Sequence, residues 1–173
     1  MSATEAGNAT GTSTADDTIA MRPFTASLPM ALLQAREATM RLFRPVLADH
    51  ELTEQQWRVL RALAAADEPL AVGDVAQRTF LLGPSLSRII ANLESRRLLS
   101  RAAAVDDQRR SNLVLTNQGR RLVATVAPIS EATYEGIEER FGVDRLDRLM
   151  AELNALHDAL PHALNQEPSD PNT

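Results

Sequence analysis

Gly83-Pro-Ser-Leu-Ser-Arg-Ile-Ile-Ala-Asn-Leu-Glu-Ser-Arg96, with Asp106-Asp-Gln-Arg-Arg110 and Ser111-Asn-Leu-Val-Leu-Thr116 behind it, decides the fold. The first piece reads as a helix, with Pro84 in its first turn, where proline is favoured. Leu86, Ile89, Ile90 and Leu93 form an apolar stripe, whereas Ser85, Ser87, Arg88, Ala91, Asn92 and Ser95 lie elsewhere on the wheel. Leu98 to Val105 reads as an outgoing strand and Ser111 to Leu115 as the returning one, with arginines at the tip between them. Upstream, Pro69-Leu-Ala-Val72 is short enough for a small strand or an extended lead-in. Val72 to Thr79 makes a first helix with Val75 and Ala76 facing inward, and Phe80-Leu-Leu-Gly83 is the turn. A helix followed by a basic two-stranded ribbon is how a winged helix-turn-helix grips duplex DNA, one piece in the major groove and the other along the backbone or minor groove.

Working outward, Leu28 to Ala48 is a helix whose apolar positions Leu32, Leu33, Met40, Phe43, Val46 and Leu47 recur at three- and four-residue steps. Pro45 is expected to kink it or end its regular hydrogen bonding. Thr53-Glu-Gln-Gln56 is a capping box that launches a helix carrying Trp57, Leu60 and Leu63. Thr116 begins a long helix with Leu122, Val123, Val126, Ile129 and Ile137, which Pro128 should bend. Val143 to Leu164 is a last helix, with Leu146, Leu149, Met150, Leu153, Leu156 and Leu160 in one stripe. That stripe exceeds what a small wing module needs to cover, which suggests a second layer where two chains meet. The expected fold class is mainly α: a winged helix-turn-helix with a small β-hairpin wing and a helical dimerisation lobe. The expected division is a disordered segment over 1–26, a dimerisation lobe from 27–50 and 117–164, a DNA-binding domain over 51–116 and a disordered tail over 165–173.

A chain of 173 residues with 44% apolar residues suits one compact domain with a helical extension. No cysteine is present, which removes disulfides, thiolate catalysis and cysteine-ligated zinc together. His50, His157 and His162 are too few and too scattered for a metal cluster, and no cofactor is expected. There is no Gly-rich phosphate loop and no nucleophile with a base, so no enzyme is expected. No window approaches a membrane span and the N-terminus has no apolar signal core, so a soluble cytoplasmic protein is expected. The net charge of -5 argues at first against nucleic acid, but its distribution reverses the argument. Between Arg78 and Arg121 nine arginines face three acids, a local +6 that leaves -11 on the remainder. A basic module on an acidic body is the footprint of a DNA binder that does not coat DNA indiscriminately.

Only the solvent-facing side of a helix in the major groove can read base edges. Ser85, Ser87, Arg88 and Asn92 are the candidates: Arg88 suits a bidentate pair with guanine and Asn92 one with adenine. At the wing tip, Arg109 and Arg110 follow two acids. Asp107 or Asp106 can brace one arginine while the other enters the minor groove. Arg101, together with Arg96, Arg97 and Arg120, is a phosphate candidate on charge alone. A winged-helix adaptor that touches only protein is the competing reading, and it would call for an apolar rather than a polar recognition face.

Residues 28 to 160 resemble the MarR family of bacterial winged-helix repressors. The resemblance is carried by Leu32-Leu-Gln-Ala-Arg-Glu-Ala38, Leu52-Thr-Glu-Gln-Gln-Trp-Arg-Val59, Pro84-Ser-Leu-Ser87 onward to Leu93-Glu94, Asp107-Gln-Arg-Arg110, and Leu115-Thr116 with Gly119-Arg120. The subgroup most alike comprises regulators of homoprotocatechuate and related aromatic-acid catabolism. The resemblance implies an obligate homodimer, a pseudo-palindromic operator with half-sites about one helical turn apart, and release by an aromatic acid or phenol. The effector would enter a crevice between the dimer lobe and the wing domain. Ala104 departs from the family pattern, standing where many members carry an acid that braces the wing. A crevice for a small aromatic anion needs a cation, hydrogen-bond donors and apolar walls. By position the candidates are Gln34, Arg36, Arg41 and Arg44 on the first helix, with His50 and Trp57. Ion pairs with Glu37, Asp49 or Glu51 are the competing role for the arginines.

Overall fold

The computed structural model describes residues 21–103 and 111–160, so the wing tip with Asp107, Arg109 and Arg110 lies outside the described residues, as do both ends of the chain. The chain divides into two units, residues 1–38 and 39–173. In the first, Phe24–Ala26 form one 3-10 turn inside the segment expected to be disordered. Helix α1 (Leu28–Asp49) follows it. The helix runs on past Pro45 to Asp49, so the proline does not end it.

In the second unit, Phe43 and Leu47 are the buried positions of α1, one turn apart. Helix α2 (Glu54–Ala64) starts where the capping box requires. Gln56 N–H donates to Thr53 Oγ1 at 3.2 Å, and Thr53 N–H donates to Gln56 Oε1 at 2.8 Å. Two of the helix's orphan donors are thereby satisfied. Strand β1 (Leu70–Ala71) leads directly into α3 (Val72–Thr79), and α4 (Gly83–Ser95) follows the turn. Phe80 closes α3 in the left-handed region, φ 52°, a conformation that costs a bulky residue energy and so is held by its surroundings. Its ring meets His157 edge-on at 5.8 Å.

Strands β2 (Leu99–Ala103) and β3 (Ser111–Leu115) pair antiparallel, and β1 adds to the other side of β3, giving the order β1-β3-β2. The register sets Leu99 opposite Leu115 and Leu70 opposite Leu113, which places these leucines on the core face. Helix α5 (Asn117–Phe141) begins at Thr116, whose hydroxyl accepts from Gly119 N–H at 3.0 Å. The same hydroxyl donates to the Arg97 carbonyl at 2.5 Å, and Thr116 N–H donates to the Leu98 carbonyl. Gly119 is required by this lock, because a Cβ there would lie 1.9 Å from the Leu98 oxygen. Helix α6 (Val143–Ala159) stops short of the Leu164 expected from periodicity. Leu160 is extended, and the cause is in the sequence: Pro161 follows and pushes the residue before it out of the α region.

One core joins these pieces. Val59, Leu60, Val75, Leu86, Ile90, Leu93, Leu113 and Val126 are all essentially inaccessible to solvent. Helix α4, the β2–β3 hairpin and α2 are thus packed as one body. The apolar face of α6 is not covered in this way: Leu149 is 41% and Met150 51% exposed.

Candidate nucleic-acid interface and effector cavity

The two faces of α4 separate as the sequence predicts. Leu86, Ile90 and Leu93 are buried, while Ser85, Ser87, Arg88 and Asn92 are exposed. Pro84 stands in the first turn of this helix, which has no side-chain cap. Asn92 is held differently from its neighbours. Gln56 Nε2 donates to Asn92 Oδ1 at 2.7 Å, tying the last turn of α4 to the first turn of α2.

Arg101, on β2, donates from Nε to Glu94 Oε1 at 3.1 Å. This bond links the outgoing wing strand to α4, and it leaves Arg101 exposed on the same side as a half-buried carboxylate. Arg96 is less available than its charge suggests. It donates to the Glu51 carbonyl at 2.7 Å and stands 3.9 Å from the Glu51 carboxylate, bracing the turn between α1 and α2. Arg97 and Arg120 are exposed.

A cavity of about 460 Å³ opens beside α2, within the range of small-molecule sites. Its apolar walls are Met40 and Phe43 of α1 with Trp57 and Ala62 of α2. Trp57 is largely buried, so it serves the core and the cavity at once. The polar lining is Thr39 of α1, Glu54, Arg58 and Arg61 of α2, Arg78 of α3 and Tyr134 of α5. Arg61 donates to the Tyr134 hydroxyl at 3.1 Å, and Tyr134 packs on Phe43 with centroids 4.9 Å apart. Arg58 lies between two acceptors, the Glu54 carboxylate and the Thr79 carbonyl, each at 2.9 Å. One guanidinium therefore joins the cavity wall to the carbonyl that closes α3, just ahead of α4.

Cations, a phenol and aromatic walls in one hollow suit an aromatic carboxylate: charge-assisted bonds hold the anion and the rings hold its body. Of the residues expected there, Trp57 lines this cavity and Arg41, Arg44 and His50 do not. Met40, Phe43 and Leu47 take the inward positions of α1, which turns Arg41 and Arg44 outward. Arg44 reaches Glu54 at 3.6 Å. Gln34 and Arg36 belong to the first unit, where Arg36 pairs with Glu37 at 2.6 Å. Arg36 thus meets one of the expected ion-pair partners, whereas the partner of Arg44 is Glu54, which was not among them. Arg61 was legible in principle, one helical turn after Trp57 on the same helix, whereas Tyr134 is brought in by tertiary packing alone.

A family model described as MarR family matches residues 50–110. The chain is 40% identical over 138 residues to the HTH-type transcriptional regulator FarR of Neisseria gonorrhoeae, spanning 78% of this chain and 94% of that protein. It is 40% identical over 123 residues to the homoprotocatechuate degradative operon repressor of Escherichia coli, spanning 71% of this chain and 82% of the repressor. Among solved structures, NadR in complex with 4-hydroxyphenylacetate matches with a TM-score of 0.70 and 36% identity, over 81% of this chain and 99% of NadR.

Proposed function

Because the chain belongs to the MarR family of transcriptional regulators, which bind DNA and do no chemistry, we propose that it is a homodimeric repressor released from a pseudo-palindromic operator by a small aromatic acid. The observation that carries the effector half is the cavity beside α2, where Arg61, Arg58 and Tyr134 converge on aromatic walls. The names of two relatives support the same class of ligand: one represses a homoprotocatechuate operon and one was solved with 4-hydroxyphenylacetate. In this reading Arg61 takes the carboxylate and Trp57 and Phe43 flank the ring. In the same reading Arg36 and Arg44 serve in ion pairs, Gln34 and Arg41 stand exposed on α1, and His50 follows the end of that helix.

The DNA half rests on the exposed polar face of α4. Arg88 reads a guanine, Ser85 and Ser87 meet phosphates or thymine methyls, and Arg101 meets the backbone beside the wing. Asp107, Arg109 and Arg110 complete the wing contact in this reading. Residues 51–116 form the DNA-binding domain, and 27–50 with 117–164 form the dimer lobe. The exposed leucines of α1 and of α6 support that lobe, since monomeric proteins seldom leave such faces uncovered.

Effector and operator then compete through one equilibrium between two arrangements of the recognition modules. Arg58 is positioned to transmit it. An anion in the cavity competes with the Thr79 carbonyl for its guanidinium, and that carbonyl closes the helix before α4. Trp57 is the sole tryptophan, so titration with 4-hydroxyphenylacetate and related acids reads cavity occupancy directly. Saturable quenching that tracks release from DNA is expected. Release from DNA without any change at Trp57 would move the effector elsewhere.

A further inference from the structure

We infer that Asn92 presents its amide nitrogen, a hydrogen-bond donor, to DNA, because Gln56 holds its amide oxygen. The inference rests on the DNA-binding reading above. The Thr53 backbone N–H is a donor, so the end of Gln56 that it meets at 2.8 Å is Oε1. The other end is Nε2, which has only hydrogens to offer. The atom it meets at 2.7 Å on Asn92 is therefore the oxygen Oδ1. A capping box at the start of α2 thus sets the amide of a residue 36 positions away, on the exposed side of α4. Nδ2, with two hydrogens, is the end directed away from Gln56.

This changes what Asn92 can read. A bidentate match to adenine needs the Asn oxygen to accept from N6 while the nitrogen donates to N7. That oxygen already accepts from Gln56, which leaves it one lone pair and disfavours the adenine pairing. The partners that suit the other end, Nδ2, are acceptors: a phosphate oxygen, guanine O6 or N7, or thymine O4. Gln56, which the sequence marks only as a cap, becomes a positioning residue for recognition.

The test reverses the amide without dismantling the cap. Gln56→Glu keeps an acceptor for Thr53 N–H, and glutamate is a usual third residue of a capping box. Its second oxygen now faces Asn92 and turns the amide round, so that an oxygen is presented to DNA. The added charge weakens binding by itself, so the measurement is a double-mutant cycle. Affinities of the full chain, Gln56→Glu, Asn92→Ala and the double variant are read by fluorescence anisotropy. The probes are a duplex selected by the protein from a random-sequence pool and an unrelated duplex. Gln56→Glu is expected to weaken binding roughly threefold more with Asn92 present than with Asn92→Ala in place, the scale of touching side chains. Coupling on both duplexes identifies a phosphate partner, and coupling on the selected duplex alone identifies a guanine or thymine acceptor. Equal losses in the two backgrounds overturn the inference and leave the DNA reading standing. So does Asn92→Ala with unchanged affinity, a variant that needs no change in α2. A wild-type protein that prefers no DNA sequence overturns both.

Discussion

Replacing Arg61 by methionine keeps the length and apolar stem of the side chain and removes its charge from the cavity beside α2. The guanidinium donates to the Tyr134 hydroxyl at 3.1 Å and lies 6.0 Å from the centre of that ring. A bound carboxylate replaces the neutral hydroxyl acceptor of this cation, a bond worth about 1 kcal/mol net, with an anionic acceptor worth about 1.5–3 kcal/mol. The difference, about 0.5–2 kcal/mol, predicts an effector Kd raised roughly 2- to 30-fold. Arg61 is not on α4 or the wing, so affinity for DNA without effector should stay within about twofold, as for surface changes away from a contact. Allosteric coupling is reciprocal, so the acid concentration that releases half the DNA should rise in proportion to the effector Kd. Trp57 quenching supplies the first number and anisotropy of a labelled duplex the second. An effector Kd unchanged within error would remove Arg61 as the carboxylate partner. A loss of DNA affinity equal to the loss of effector affinity would make it a structural residue instead.

The remaining predictions concern the scaffold and the recognition helix. Gly119→Ala drives a Cβ into the Leu98 carbonyl and breaks the Thr116 lock between β2 and α5, so denaturant unfolding should show a loss of about 3 kcal/mol. A loss below about 1 kcal/mol, typical of an average substitution, would mean that the chain relaxes there. Ser130 is buried with its hydroxyl unpartnered among the described residues, so Ser130→Ala should stabilise the protein by about 1 kcal/mol, read as a raised unfolding midpoint. A lowered midpoint would reveal a partner for that hydroxyl. Arg88→Ala should cost about 1–3 kcal/mol on the selected duplex and relax preference at one base pair. Equal losses on selected and random duplexes would make Arg88 a phosphate contact.

Local signals carried most of the fold. The capping box put the start of α2 at Glu54, period and proline placed α4, and alternation placed β3 at Ser111–Leu115. The end of α6 was also legible, because Pro161 forbids Leu160 the helical conformation; periodicity alone carried the expected helix too far. The site divides along the same line. The outward face of α4 follows from its wheel, so Ser85, Ser87, Arg88 and Asn92 emerge exposed. The state of Asn92 does not follow, because its amide is set by Gln56 from another helix. The cavity was the least legible feature. Charge on α1 drew attention to Arg36, Arg41 and Arg44, yet the inward positions of that helix belong to Met40, Phe43 and Leu47. The cations of the cavity come from α2 and α3, and its phenol comes from α5. Residues brought together by packing leave no mark in local spacing.

The most direct test of the account is a single titration on the full chain. A labelled duplex selected from a random-sequence pool is bound, its anisotropy is followed while an aromatic acid is added, and the acid's affinity is measured through Trp57 with and without DNA. The account predicts tight, salt-sensitive binding, release by at least one acid, and weakening of that acid by DNA through the same factor by which the acid weakens DNA. An acid that fills the cavity and quenches Trp57 equally with and without DNA, leaving the duplex bound, would contradict it.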